Sequence, residues 1–394
     1  MIKTGVGKSI NQDSLKAGEE ACNEALDKVG RRADFIIVFS STFHNQRKVI
    51  DGVKLVSGNI PLVGCSSAGE ITNEGPLSKS VVVLALETPK IKWTISAREN
   101  VNKNPLKSGK EVAEEILKKA EGKVSLFLMF SDGLAKNKNT ILKGIQKVLG
   151  NNFPIVGASA GDDALFKKTY QYFNSQVLTD SLIGIGLSGG FTFGIGTGHS
   201  WEPIGLPMKV TKSKGKKIIE IDNRPAISVY LDYFGKEAKE LLKRPLNIIS
   251  YRYPLGIGIK GGSTFLIRNT FASDNKGNII CAAEIPKGST IQLMISSGKE
   301  TVLAGKKAAK KVISQMKGKK AEVIFVFDSI YRKKFLGKEA IMDIREIEDI
   351  LGKETTIAGF YGYATQAPFE PKVDLETSPS VLHTGTLVLL AMGE

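Results

Sequence analysis

The chain repeats itself, and the repeat limits what it can fold into. Residues 33–70 read ADFIIVFSSTFHNQRKVIDGVKLVSGNIPLVGCSSAGE, and residues 124–162 read VSLFLMFSDGLAKNKNTILKGIQKVLGNNFPIVGASAGD. Each opens on an apolar run that ends Phe-Ser (Phe39-Ser40, Phe130-Ser131). A stretch with apolar residues three and four apart follows, such as Ile141, Leu142, Ile145, Val148 and Leu149. Each then closes on Pro-apolar-Val-Gly (Pro61 to Gly64, Pro154 to Gly157) and a small-residue turn ending Ala-Gly-acid. Strand, helix and strand in this order form a βαβ unit, whose crossover predicts parallel strands. A more diverged third copy is read over residues 321–365, where Phe327-Asp328-Ser329 stands for Phe-Ser-Ser and Ala358–Gly362 for the turn.

Between these units the pattern alternates at the period of strands. Val81–Glu87 and Ile91–Arg98 read as a pair, and Thr169–Asn174, Leu182–Leu187 and Phe191–Thr197 as a meander. Thr264–Ala272 and Asn278–Glu284 flank Asp274-Asn275-Lys276-Gly277, a hairpin loop with glycine where φ turns positive. Thr290–Ser296 follows as a third strand. Gly205–Gly215 is polar and turn-rich and marks a boundary near residues 200–215. The expected class is α/β in the mixed α+β sense: repeated βαβ units with parallel strands, antiparallel meanders, and a two-part architecture.

Length and composition narrow the function classes. At 394 residues, 42% apolar and 24% charged, the chain can bury sizeable cores in two or three domains. Cys22, Cys65 and Cys281 are odd in number and far apart, which excludes a disulfide framework and a zinc ribbon. The run Val124–Phe130 is too short to span a bilayer and the first residues lack a signal core, so a cytoplasmic protein with no membrane partner is expected. The formal charge is +15, but lysines are spread along the chain. In the cluster Lys306–Lys320, Ala309, Val312, Ile313 and Met316 fall at helical spacing, as on a surface helix with a solvated basic face. Nucleic acid is therefore a minor alternative, with no recognition helix or aromatic platform to support it.

The phosphate-loop lookalikes fail on context. Gly7-Lys8-Ser9 lacks the first glycine of a Walker loop. Gly184-x-Gly186-x-x-Gly189 and Gly256-x-Gly258-x-x-Gly261 precede strands, not helices. The repeated turns are better candidates, because ligands of open parallel sheets bind beyond the carboxyl ends of the strands. Gly64, Cys65, Ser66, Ser67, Gly69 and Glu70 in the first turn, and Gly157, Ser159, Gly161 and Asp162 in the second, offer N–H donors and carboxylates. Ser40, Ser41, Ser131 and Asp132 end the neighbouring strands on the same rim. Arg268 or Arg332 could clamp a carboxylate, with Tyr361 nearby in the third copy, while Glu70, Asp162 or Asp163 meets a cation. Arg224, in DNRPA before a helix, reads as an interdomain contact.

Two other chemistries compete. A non-enzymatic binding module is the expectation; an enzyme would use Cys65 or the turn carboxylates, with Cys65 a nucleophile if a base stands beside it, although the second copy has Ala158 there. No cofactor is required by any motif, and no two histidines or cysteines lie at metal-ligand spacing. Haem is the alternative cofactor, with His199 in GTGHSWEP or His44 as the single axial ligand.

The whole chain resembles the FIST-domain family. The resemblance rests on ADFIIVFSS, PLVGCSSAGE, PIVGASAGDD and the junction GHSWEP, and continues through IIEIDNRPAISVYLDYFG, FVFDSIYR, IAGFYGYAT and LHTGTLVLL. It implies a FIST N-like domain at residues 1–205 holding two βαβ repeats, and a FIST C-like domain at 206–394 holding the strand block and the third unit. It further implies a cytosolic sensory module for a small ligand, with amino acids proposed for the family and haem-based nitric-oxide sensing known in some members. Output would then pass through a separate signalling protein or a homo-oligomer. The chain departs from the family pattern at Ser329, at Gly362–Gln366 and at His383–Thr386, so ligand specificity carried by that segment transfers least.

Overall fold

The computed structural model describes residues 1–243, 248–259, 264–296, 298–369 and 379–394. Three units share one order of elements. The first comprises β1 (Lys3–Ser9), α1 (Ser14–Val29), β2 (Phe35–Ser41), α2 (Gln46–Ser57), β3 (Leu62–Ser67), β4 (Glu70–Thr72), β5 (Gly75–Pro76) and β6 (Val81–Glu87). The second runs β7 (Ile91–Glu99), α3 (Pro105–Lys119), β8 (Val124–Ser131), α4 (Lys138–Leu149), β9 (Ile155–Ser159), β10 (Gln171–Phe173), β11 (Gln176–Leu178) and β12 (Ser181–Gly189).

The third unit opens on β13 (Thr192–Gly198) and is then interrupted by an inserted block. That block holds β14 (Glu202–Lys214), β15 (Lys217–Ile221), β16 (Arg224–Pro225), α5 (Ser228–Phe234), α6 (Glu237–Leu241) and α7 (Ile248–Arg252), then β17 (Leu255–Ile259), β18 (Thr264–Arg268), β19 (Thr270–Ser273), β20 (Ile279–Cys281) and β21 (Thr290–Ile295). The unit resumes with α8 (Gly298–Gln315), β22 (Val323–Ser329), α9 (Ile330–Leu336), α10 (Ala340–Leu351), β23 (Thr356–Gly362), β24 (Ala364–Pro368), β25 (Ser380–His383) and β26 (Leu387–Gly393).

The parallel pairs expected from the repeat are present: β2 with β3, β8 with β9, and β22 with β23. Each sits in a six-stranded sheet, and the three sheets complete one another in a ring. Their orders are β1-β6-β2-β3-β10-β11, β7-β12-β8-β9-β24-β25 and β13-β26-β22-β23-β4-β5. The last hairpin of each sheet therefore comes from another unit. The same cycle recurs at the strand ends, where Gly161 N donates to Ser66 O (3.0 Å), Ala68 N to Tyr361 O (2.8 Å) and Tyr363 N to Ser159 O (3.1 Å).

Residue alternation shows why the sheets meet. Phe35, Ile37 and Phe39 of β2, Leu126, Leu128 and Phe130 of β8, and Val323, Phe325 and Phe327 of β22 all join one central core. The intervening Ile36 and Val38 face the α1 and α2 layer, Phe127 and Met129 the α3 and α4 layer, and Ile324 and Val326 the α8 and α10 layer. Strands buried on both faces read as unbroken apolar runs, as these do. At the centre Phe130 meets Phe39 (ring centroids 5.7 Å) and Phe327 (6.0 Å), with Phe360 against all three.

The glycine of Pro-apolar-Val-Gly has a packing reason. A Cβ on Gly64 would lie 1.9 Å from Val38 O, and one on Gly157 2.0 Å from Met129 O. In the third unit Gly359 occupies the same place, 1.9 Å from Val326 O.

Some expected pairings differ. Val81–Glu87 and Ile91–Glu99 do not pair with each other: β6 lies between β1 and β2, and β7 pairs with β12. The expected meander is divided among three sheets, with β10 in the first, β12 in the second and β13 in the third. The segment 205–215 lies mostly within β14, an irregular strand that joins β21 to β15 in the inserted sheet. The hairpin around Asp274–Gly277 forms as expected between β19 and β20, with Gly277 at φ 76°. Ala309 and Val312 on α8 and Met316 just beyond it are buried while Ile313 faces solvent. Gly184 and Gly186 lie within β12 and make room for α3; Gly261 lies outside the described residues. Among the described residues no helix is long and apolar enough to cross a membrane.

Candidate functional site

The carboxyl ends of β2, β3, β8, β9, β22 and β23 form one rim, and three cavities open around the loop that follows β9. Two acidic groups singled out in the sequence are already engaged. Glu70 is fully buried, and its carboxylate accepts hydrogen bonds from the Ser67 and Ser80 hydroxyls. Burial pushes its pKa up to about 7 against those two bonds, with Asp163 adding to the rise and Lys333 opposing it. Asp162 is also buried; it accepts from the amides of Phe166 (2.9 Å), Lys167 (2.6 Å) and Lys168 (2.8 Å) and from the Tyr363 hydroxyl. It is a loop anchor.

Asp163 lines the largest of these cavities, and Asp162 the wall of a second. Counted from the matching glycines Gly64 and Gly157, Asp163 corresponds to Glu70, one residue beyond the acid suggested by the Ala-Gly-acid motif. It is half-buried, and its Oδ2 accepts from Ser41 Oγ and Thr42 Oγ1, both at 2.8 Å. Its backbone lies at φ 53°, and Ala164 (65°) and Phe166 (52°) share that conformation. Such φ values cost non-glycine residues free energy and are held here by the Asp162 anchor.

The largest of the three cavities, about 600 Å³, lies between this loop, the ends of β2 and β3, and α9. Thr42, Phe43, Asp163, Leu165, Lys333 and Lys334 are among its walls, with Lys79 at one side. Lys333 Nζ donates to Ala68 O (2.8 Å) and Ser78 Oγ (3.2 Å) and stands over the Tyr361 ring at 5.2 Å. Burial lowers its pKa, and Glu70 and Asp163 oppose that shift. Gly69 makes room for this lysine, since a Cβ there would lie 2.0 Å from Nζ. Phe43 and Leu165 remain 51% and 58% exposed at the mouth, unusual positions for large apolar side chains. A second cavity of about 460 Å³, lined in part by His44, Gln46 and Lys168, adjoins the first across Thr42 and Leu165.

The other sequence candidates occupy different places. Cys65 lies opposite Phe39 in the parallel register and belongs to the central core, where burial holds its thiol well above its ordinary pKa. Ser40 and Ser66 are buried: Ser40 Oγ donates to Ser41 O, and Ser66 Oγ donates to Gly161 O at 2.6 Å while accepting from Tyr170 N. Ser131 and Ser159 share a hydrogen bond at 3.0 Å. Asp132 accepts from the amides of Leu134 and Asp180.

Arg332 is fully buried and pairs with Asp328 (2.8 Å) and Asp343. Arg268 donates to the carbonyls of Glu284, Ile267 and Leu382. Both guanidiniums are committed to the protein itself, and neither lines any of these three cavities. Arg224 forms an exposed pair with Asp232 within the inserted block. His44 Nε2 lies 3.1 Å from Lys79 O, and His199 Nε2 3.2 Å from Phe265 O. Burial pulls His199 down to about 4.

A FIST N domain model matches residues 34–224, and a FIST C domain model matches residues 226–368. An uncharacterized protein of Methanocaldococcus jannaschii, MJ1623, is 28% identical over 248 residues, 60% of this chain and 47% of that protein. The chain thus spans about half the length of the curated relative it matches. Among solved structures, a cyanuric acid hydrolase aligns over the full length of both chains at a TM-score of 0.36 and 9% identity. Cyanuric acid hydrolase from A. caulinodans aligns over 48% of this chain and 71% of its own at 0.27 and 8%.

Proposed function

The chain belongs to the FIST family, a family of sensory domains, and from that premise we propose that it recognises a small zwitterionic metabolite of amino-acid type. One observation carries the reading: the largest cavity of the rim sets the Asp163 carboxylate among the ammonium groups of Lys333, Lys334 and Lys79. An α-carboxylate would meet the lysines and an α-ammonium would meet Asp163, while Phe43 and Leu165 would cover an apolar side chain at the mouth. Binding, not turnover, fits the surroundings. The thiol of the first repeat, Cys65, is sealed in the core, and the Glu70 carboxyl is taken up by two serine hydroxyls. We place the protein in the cytoplasm, passing its signal to a separate protein partner.

The test is a thermal-shift screen of the amino acids, followed by calorimetry on any that stabilise. Asp163→Asn and Lys333→Met should each weaken a stabilising amino acid by about tenfold or more. Unchanged affinity in the double variant, or a screen without a hit, would overturn the proposal.

A further inference from the structure

The third cavity of the rim, about 300 Å³, lies between the amino end of α4 and the inserted sheet. Its walls combine two lysines, Lys138 and Lys216, with four aromatic rings, Phe166, Phe271, Tyr331 and Tyr363. Phe166 stacks on Tyr363 (centroids 4.6 Å, 24°) and meets Phe271 edge-on (5.1 Å, 82°). That ring is held in place at φ 52°, a backbone conformation unfavourable to phenylalanine.

Lys138 is unfavourably placed in three respects. It is 6% exposed, it is the first residue of α4, where the helix dipole disfavours a cation, and among the described residues its ammonium has one hydrogen-bond acceptor, Gly133 O. Among the described residues no carboxylate oxygen lies within 4 Å of the Lys138 or Lys216 nitrogen. Asp132 and Glu284 attract the two lysines from farther away, but each has partners of its own: Asp132 the amides of Leu134 and Asp180, Glu284 the Asn139 amide at 3.2 Å. Burial and repulsion by Lys216 pull Lys138 down to about 7, and burial lowers Lys216 as well.

A carboxylate bound here would fill the open donor positions, separate the two ammonium groups and complement the helix end. The aromatic wall calls for a flat body behind that carboxylate. We infer that this cavity is a second ligand site, which takes a planar aromatic carboxylate with its ring among the four aromatic side chains and its carboxylate between Lys138 and Lys216. The site is separate from the cavity around Asp163.

The test is calorimetry on the full chain with benzoate and indole-3-carboxylate as probes, benzamide as the uncharged isostere and cyclohexanecarboxylate as the non-planar one. One aromatic carboxylate should bind saturably, and the two isosteres about tenfold more weakly or not at all. Lys138→Met and Lys216→Met should each weaken binding by about tenfold, with Asp163→Asn without effect. Because Lys138 is buried, the less deeply buried Lys216 carries the test if Lys138→Met does not fold. Wild-type affinity in Lys216→Met, benzamide binding as tightly as benzoate, or no saturable heat from either carboxylate at millimolar concentration would overturn the assignment.

Discussion

Glu70→Gln is expected to remove much of the fall in stability of this protein between about pH 4.5 and 7. The Glu70 carboxyl is fully buried, with its oxygens on the hydroxyls of Ser67 and Ser80, and its folded pKa is about 7 against an ordinary 4.5. A carboxyl whose folded pKa is raised binds its proton more tightly in the folded chain. Its contribution is therefore fully present below the unfolded value and is lost as pH rises through the folded one. A shift of this size corresponds to about 3 kcal/mol across that window. Glutamine keeps the shape and stays neutral at every pH, so the variant should match wild type near pH 4.5 and exceed it above pH 7 by up to about 3 kcal/mol. Urea denaturation at half-unit pH intervals, with midpoint and slope fitted together, measures the difference directly. Parallel curves for the two proteins over the whole window would refute the reasoning, because they would mean that Glu70 is ionised in the fold at no extra cost.

Other substitutions test the architecture. Arg332→Met strands the buried Asp328 and Asp343 and should lower stability by on the order of 3–5 kcal/mol, read by chemical denaturation, with Asp328→Asn added to it restoring part of the loss. Gly64→Ala pushes a methyl to 1.9 Å from Val38 O and should cost about 3 kcal/mol or abolish folding. Gly359→Ala should behave alike if the third unit is a true equivalent. Cys22, Cys65 and Cys281 are all buried, and burial raises Cys22 and Cys281 to about 12. Ellman's reagent at pH 8 should therefore label none of them in the native protein and all of them in denaturant; rapid native labelling would contradict the packing.

The repeated strand–helix–strand units were legible because their signals are local. An apolar run closed by Phe-Ser, a 3.6-residue periodicity and a glycine before the turn are all contained in one stretch of chain. The exchange of hairpins was not legible. The strands β4 and β10 span three residues each, too short for a period, and they pair with partners far away in sequence. Cys65 illustrates a related limit. The motif places it in a turn, yet β3 continues through Ser67, and alternation along that strand then sends Cys65 to the core and not to the rim.

The charged residues of the cavities were equally hard to read. Arg332 looked like a ligand clamp, but Asp343, eleven positions on, claims it. Lys333, its neighbour, faces the cavity because successive residues of a helix point in different directions. Lys138 and Lys216 belong to no motif and meet only because the inserted sheet folds back on the end of β8.

The exchanged hairpins also bear on how such a chain emerges from a ribosome. Once β6 has been made, β3 still lacks β10, and its edge stays open until residue 173 has appeared. The edge of β9 waits for β24, just over two hundred residues later, while β4 and its partner β5 wait for β23. None of the three sheets can close by itself during synthesis, and sticky strand edges persist until β24 has been made. The three units therefore mature together, and a product stalled before β23 leaves two sheets with an open flank, a ready target for chaperones and proteases.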